Sequence, residues 1–367
     1  MLFTSAPLGS LTLPNRLIRS ATAEMMADED GRPGEALAAL YRDLARGGVG
    51  LITTGHMYIA PEGKAHDGMT GIHEDALVPD LRRLTSVVHA EGGQIAVQIN
   101  HAGRQPRCAD VKQPLGPSDE ETTPPGRGAR AMTADEIGQT IEAYARAAER
   151  AVAAGFDAIQ IHAAHGYLIS QFLSPISNRR TDDWGGSLDG RLRLFERVVT
   201  ACRDAVGGTV PLFAKLGMRD ESDEGLTLAD GVEIVSRLAG FGLDAIELSG
   251  GLASSATYNI GSAVSPGHGE AFFRPFAVAA REASSLPILR VGGLRSRVVM
   301  DEVLDCGDAQ FLSICRPLIC EPDLPKRLAA GQLASSCVSK NRCWPKHPGE
   351  GISCKCRGVE RPRERPD

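Results

Sequence analysis

Eight short apolar runs, each separated from the next by a stretch with helical spacing, constrain this chain more than any other feature. The runs lie at 15–19, 49–53, 94–99, 158–161, 212–216, 245–248, 288–291 and 309–314. Helices are expected at 35–46, 80–90, 133–154, 191–206, 228–240, 276–284 and 297–305. The helix at 133 opens on Thr-Ala-Asp-Glu, so Thr133 can cap its first turn while Glu136 answers as a capping box. The runs are nearly all apolar instead of alternating, as in parallel strands covered on both faces. Eight such units is the number that closes a (β/α)8 TIM barrel, and that α/β architecture is the expected fold. With 367 residues, 42% of them apolar, the chain can fill such a core as one large domain over 1–330, leaving a C-terminal extension over 331–367.

Charge narrows the partners. There are 40 basic and 46 acidic residues, a formal net charge of -6, so nothing here reads as a nucleic-acid footprint. The first 17 residues lack a basic segment followed by an apolar one, and no stretch approaches 18 uncharged apolar residues. A cytoplasmic protein without a membrane span, acting on small molecules, is the expectation. Self-association is a further expectation, with the extension as its candidate contact element. Long polar loops are expected at 105–130, where a small hairpin fits, at 170–189 and at 250–273.

In a barrel of this type the site lies at the carboxyl ends of the strands. The fourth run ends in His162, with His165 and Tyr167 close behind. Two imidazoles can hydrogen-bond one carbonyl oxygen, and a nearby phenol can deliver a proton. The alternative is a loop in which both histidines cap backbone groups. Gln98 and His101 close the third run and Lys215 the fifth. Gly292-Gly293 ends the seventh, and Cys315-Arg316 follows the eighth. Glycine N–H groups and a guanidinium together suit a phosphate. A phosphate seat, a carbonyl-activating pair and a fixed cation suggest flavin mononucleotide, FMN. Lys215 then faces the N1/O2 edge, which gains negative charge on reduction, and the Gln98 amide meets the pyrimidine part of the ring. A salt bridge at the barrel rim is the plainer account of Lys215.

These residues sit in longer motifs: NRLIRSA from Asn15, QINHAGR from Gln98, the block from Ile161 to Arg191, and FLSICRPLICEPDL from Phe311 to Leu324. Over residues 1 to about 330 the chain resembles the old yellow enzyme family of NADH:flavin oxidoreductases. It is most similar to bacterial ene-reductases and to the flavin domains of 2-enoate and 2,4-dienoyl-CoA reductases. The resemblance implies FMN contacts from Gln98, Lys215, Gly292, Gly293 and Arg316, a substrate oxygen held by His162 and His165, and Tyr167 as proton donor. It also implies NADH or NADPH as reductant and an α,β-unsaturated carbonyl compound as hydride acceptor. A second enzyme reading is oxidation of amines or N-methyl compounds, with Glu24, Asp182 or Asp183 meeting a cationic substrate. A flavin-binding scaffold without turnover is the non-enzymatic alternative.

The chain departs from the family pattern. Ala23 stands where many relatives carry a Cys or Thr near flavin O4, with Thr22 beside it. Trp184 replaces a usual Tyr, Gly190 a frequent Asn, and Cys315 the Gly before the phosphate-binding Arg. In the extension, Cys337, Cys343, Cys354 and Cys356 resemble the ligand set of relatives with an iron–sulfur cluster. Lys340 occupies the position of one expected ligand, while Arg342, Lys346 and Lys355 surround the thiols. No bound metal is the expectation.

Overall fold

The protein is described by a computed structural model. It describes residues 1–123, 127–253, 255, 258–259, 261, 264–345 and 350–356; Lys346 lies outside them. Eight parallel strands close a barrel. They are β1 (Leu17–Arg19), β2 (Leu51–Tyr58), β3 (Ile95–Asn100), β4 (Ala158–Ala163), β5 (Leu212–Gly217), β6 (Ala245–Ser249), β7 (Ile288–Arg290) and β8 (Phe311–Ile314). Each pairs with its neighbours in chain order, and Leu312 against Leu17 closes the ring.

The main helices are α1 (Glu35–Arg46), α2 (Val78–His89), α3 (Ala134–Ala153), α4 (Leu188–Val206), α5 (Leu228–Phe241), α6 (Arg274–Ala283) and α7 (Arg297–Asp305). They stand between the strands and bury the apolar outer face of the barrel. Thr133 caps α3, and its capping box with Glu136 is complete. An antiparallel hairpin, Ala6–Leu8 with Leu11–Leu13, escaped the sequence reading because its strands have three residues each. Short elements also occupy spans expected as loop: the helix Leu168–Leu173 and a small three-stranded sheet within 115–131.

The interior is layered. Ile18, Leu51, Ala96, Ala158, Phe213, Ala245, Leu289 and Phe311, one from each strand, form one apolar cluster with Ala6, Leu8 and Leu13 of the hairpin. Side chains two positions apart on a strand share a face. Moving two residues along each strand from that layer reaches Ser20, Thr53, Gln98, Gln160, Lys215, Glu247, Val291 and Ser313. The seven polar members are buried. The barrel is therefore greasy at the amino ends of its strands and polar at the carboxyl ends, where a ligand can be gripped.

The extension folds back on the barrel. Ser335 N donates to Arg295 O, Ile352 N donates to Glu24 O, and Cys337 and Cys343 are buried. Its packing against the loop after β1 accounts for thiols that sequence spacing alone left unplaced.

Candidate active site

The site rises from the polar layer. β4 turns over at its end: His165 has φ +60° and Gly166 φ +73°. The left-handed conformation costs a residue with a side chain about 1–2 kcal/mol. Here His165 N donates to Gly250 O at 3.1 Å, and Gly166 O accepts from Gln171 Nε2 at 2.6 Å. This turn folds His165 and Tyr167 back beside His162. The ring centroids of His162 and His165 are 5.1 Å apart and nearly perpendicular, and Tyr167 lies 5.0 Å from His162. All three expected catalytic side chains are thus brought together.

Their protonation follows from burial. His162 Nδ1 accepts from Ala164 N at 3.3 Å, which leaves the proton on Nε2. Burial, then the neighbouring histidines and Lys215, hold His162 well below the usual imidazole range. Burial followed by Lys215 lowers His165 to about 3. His165 Nε2 is 2.7 Å from Ser249 Oγ. Burial raises the Tyr167 phenol to about 12. At neutral pH the site therefore offers two neutral imidazoles and a protonated phenol: hydrogen-bond donors and an acid, without a fixed positive charge on the histidines.

Two more imidazoles, unforeseen in the sequence, stand beside them. The register of β2 against β3 shifts between Thr53 and His56. His56 lies 5.0 Å from the Tyr167 ring and 6.1 Å from that of His162. Asn100 Nδ2 meets His56 Nδ1 at 2.9 Å, and His56 Nε2 meets His66 Nε2 at 3.2 Å. With the Asn100 amide donating, His56 carries its proton on Nε2 and donates to His66. His66 Nδ1 then donates to Asp67 O at 3.0 Å. Both ring nitrogens of His56 are used, so it serves as a fixed wall of the mouth. Its position could not be read from periodicity, because the irregularity breaks the count along the strand.

Below the imidazoles, Lys215 Nζ donates to Ser20 Oγ at 2.8 Å and lies 3.3 Å from the Glu247 carboxylate. Gln98 Nε2 donates to Gln160 Oε1 at 2.7 Å. Gln160 and Glu247 were not singled out in the sequence; their signal was the two-residue step up from the apolar layer. On the far side, Gly292 and Gly293 have φ +120° and +78°. A β-carbon at either would come within 3.1 Å of the Phe273 or Phe272 ring, so glycine is needed for space as well as conformation. Arg316 is buried, and its guanidinium donates to Gly261 O at 3.0 Å and to Asn341 Oδ1 in the extension. Thr22 Oγ1 lies 3.1 Å from Ser20 O and 2.7 Å from Cys315 Sγ, so the hydroxyl beside Ala23 is already engaged. Ala23 itself is half-buried in the loop after β1.

The residues present fit FMN. Among the described residues, Thr53 Oγ1 and Ser313 Oγ of the polar layer and Asn100 Oδ1 at the end of β3 are buried polar atoms lacking a protein partner. A buried oxygen of this kind is costly unless something hydrogen-bonds it. Together with Lys215, Gln98, the glycine turn and Arg316, they form a set of donors and acceptors suited to a polar aromatic ring carrying a phosphate. In the extension Lys340 stands exposed at one position of the expected ligand set, and among the described residues no three cysteine sulfurs lie within 4.8 Å of one another, as ligands of a single metal ion would.

Comparison with known proteins agrees with this architecture. The model of the NADH:flavin oxidoreductase / NADH oxidase family matches residues 1–334. An NADPH dehydrogenase of Bacillus licheniformis is 36% identical over 352 residues, covering 94% of this chain and 98% of that protein. A metal reductase of Desulforamulus reducens is 34% identical over 332 residues, covering 90% of this chain and 49% of its own length. The solved histamine dehydrogenase from Rhizobium sp. 4-9 superposes with a TM-score of 0.80 at 28% identity, covering 90% of this chain and 48% of that one. The chain thus spans about half the length of some of the relatives it matches. Among the described residues no helix is long and apolar enough to cross a membrane. The closed barrel and the family match over nine-tenths of the sequence agree: the chain belongs to the NADH:flavin oxidoreductase / NADH oxidase family of FMN-binding (β/α)8 barrels.

Proposed function

We propose that the protein is an FMN-dependent NAD(P)H oxidoreductase that reduces the activated carbon–carbon double bond of α,β-unsaturated carbonyl compounds. The observation that carries this reading is the convergence of two neutral imidazoles and a protonated phenol above a buried lysine. FMN bound there supplies the two-electron chemistry, accepting a hydride from NADH or NADPH and delivering it to the β-carbon of the substrate. In this reading the Gly292 and Gly293 N–H groups and Arg316 hold the phosphate, and Gln98 and Lys215 meet the pyrimidine edge of the ring. Ala23 borders the ring without supplying the polar contact at O4 that a Cys or Thr would give, and Cys315 stands beside the phosphate-binding Arg316. His162 and His165 hold the substrate carbonyl oxygen and stabilise the charge that develops on it. Because both are neutral they act as donors that strengthen as charge builds, which favours the transition state over the ground state. Tyr167 gives its proton to the α-carbon.

The second reading, amine oxidation, has the likeness to histamine dehydrogenase behind it. Its acidic candidates are engaged elsewhere. The Glu24 carboxylate accepts from Arg19, Tyr41 and Gly55 N, each at 2.8 Å. Asp182 is paired with Arg180, and Asp183 is exposed beside Arg193.

The expected partners are small molecules, and a net charge of -6 gives no case for nucleic acid. A cytoplasmic location and self-association belong to the same reading; sedimentation of the purified protein tests the latter. Anaerobic stopped-flow spectroscopy tests the activity. NADH or NADPH should bleach the bound flavin, and an enone such as 2-cyclohexenone should restore its colour. Bleaching by methylated amines, with no re-oxidation by enones, would replace this reading with the second. A protein that binds flavin but responds to neither would be a scaffold.

A further inference from the structure

Five of the buried polar side chains inside the barrel are joined in one chain of bonds, and three have no role in the reading above. Gln98 Nε2 donates to Gln160 Oε1 at 2.7 Å, and Gln160 Nε2 donates to Glu247 Oε2 at 2.6 Å. The other carboxylate oxygen of Glu247 accepts from Ser20 Oγ at 2.7 Å and lies 3.3 Å from Lys215 Nζ. Lys215 donates in turn to Ser20 Oγ at 2.8 Å. None of the five exceeds 3% exposure.

An ionised carboxylate can only accept hydrogen bonds. Glu247 therefore gives the chain its direction. Gln160 must turn its amide nitrogen toward Glu247, which leaves its carbonyl oxygen for Gln98. Gln98 must then spend an N–H on Gln160, and its own carbonyl oxygen is left outside the chain. The same carboxylate sits against Lys215 in a buried layer, where charges are weakly screened and each strongly alters the field of the other.

We infer that Glu247 is a positioning residue that sets, through Gln160, which end of the Gln98 amide faces the flavin and, through its contact with Lys215, how much positive charge the flavin experiences. This rests on the FMN reading. Reduction adds negative charge at the pyrimidine edge of the ring, so a cation beside it favours the reduced form. A carboxylate behind that cation opposes the effect. Glu247 holds the potential of the bound flavin below the value that Lys215 alone would give, and it presents the Gln98 oxygen to an N–H of the ring.

The test is the midpoint potential of bound FMN at pH 7, measured by anaerobic dye equilibration, together with FMN affinity. The variants are Glu247→Gln and Gln160→Leu, with Glu247→Gln repeated in a Lys215→Met background. Glu247→Gln should raise the potential, favouring reduced over oxidised flavin about tenfold, or about 30 mV for a two-electron couple. In the Lys215→Met background the same substitution should move it far less. Gln160→Leu leaves the ion pair and cuts only the amide relay, so it should weaken FMN binding about tenfold with a smaller shift in potential. A merely structural role for Glu247 predicts lower melting temperature without the Lys215-dependent shift. An unchanged or more negative potential in Glu247→Gln overturns the inference. If that variant does not fold, unchanged FMN affinity in Gln160→Leu overturns it. Absence of FMN binding by the parent protein would sink the cofactor reading itself, which separates the two failures.

Discussion

His165 Nε2 lies 2.7 Å from Ser249 Oγ at the end of β6, whereas His162 Nδ1 is held by the Ala164 N–H at 3.3 Å. One imidazole is thus anchored by another strand and the other by the turn that directly follows its own. Removing one oxyanion donor costs about two to three decades in rate where that has been isolated. His162→Ala and His165→Ala should retain FMN and slow flavin re-oxidation by an enone by about tenfold or more, less than that limit because the partner imidazole remains. Flavin reduction by NAD(P)H should slow less. Ser249→Ala should give a weaker version of the His165 effect. Separate stopped-flow traces of the two half-reactions decide it, and full-speed re-oxidation in both His variants would make the pair structural.

Tyr167 should behave differently. Its phenol is pushed up to about 12 by burial, so it stays protonated through the physiological range. Tyr167→Phe should leave hydride transfer largely intact while protonation of the α-carbon becomes slow or solvent-driven. The stereochemistry of deuterium incorporation from D2O reports this directly. Unchanged facial selectivity at unchanged rate would assign the proton to another source.

Arg316 is anchored by Gly261 O and by Asn341 of the extension. Arg316→Ala should release FMN on dilution while circular dichroism remains that of a folded barrel. Asn341→Ala should weaken FMN retention less, because Asn341 orients the guanidinium without supplying the charge. Fluorescence of released FMN measures both, and extraction of FAD in place of FMN would contradict the phosphate assignment.

The thiols of the extension should bind no iron–sulfur cluster. Cys337 and Cys343 are buried, and Lys340 takes the position of one expected ligand. Protein purified without oxygen should contain neither iron nor acid-labile sulfide in stoichiometric amount. A one-to-four ratio of protein to iron would reverse this conclusion, and elemental analysis tests zinc at the same time.

Stability should fall on the acid side for a reason located in the site. Burial lowers His101 to about 4 and His165, with help from Lys215, to about 3. An unfolded histidine titrates near about 6.5. Between those values the unfolded chain binds protons that the folded chain refuses, so unfolding becomes easier as pH falls. The stability is whole above about pH 6.5 and is lost as pH drops toward the folded values, by up to about 1.4 kcal/mol per pH unit for each such group. Urea unfolding at pH 7, 6 and 5 should show this loss, and His101→Asn should reduce its slope. A slope unaffected by that substitution would remove His101 from the account.

Much of this protein was legible in the chain because the relevant signals are local. Apolar runs of strand length, helical spacing between them, and a capping box at Thr133 specified a (β/α)8 barrel. His162, His165 and Tyr167 fall within six residues at the end of a strand, so the end of β4 was bound to carry them together. The short hairpin that lines the barrel floor was missed because three-residue strands carry too little periodicity. His56 was missed because a register shift in β2 reorients it. What joins the polar layer lies beyond any local pattern. Gln98 and Gln160 are 62 positions apart, Gln160 and Glu247 87, Lys215 and Ser20 195, and Ser20 and Glu247 227. Their residue types are set by the sequence, but their contacts exist only when the barrel closes. Closure brings one side chain from each strand to the same height and removes the water that would otherwise satisfy them. Which donor meets which acceptor, and so which face of the site is polar and of what sign, was decided by tertiary structure, because burial makes each of those groups depend on a partner from a distant strand.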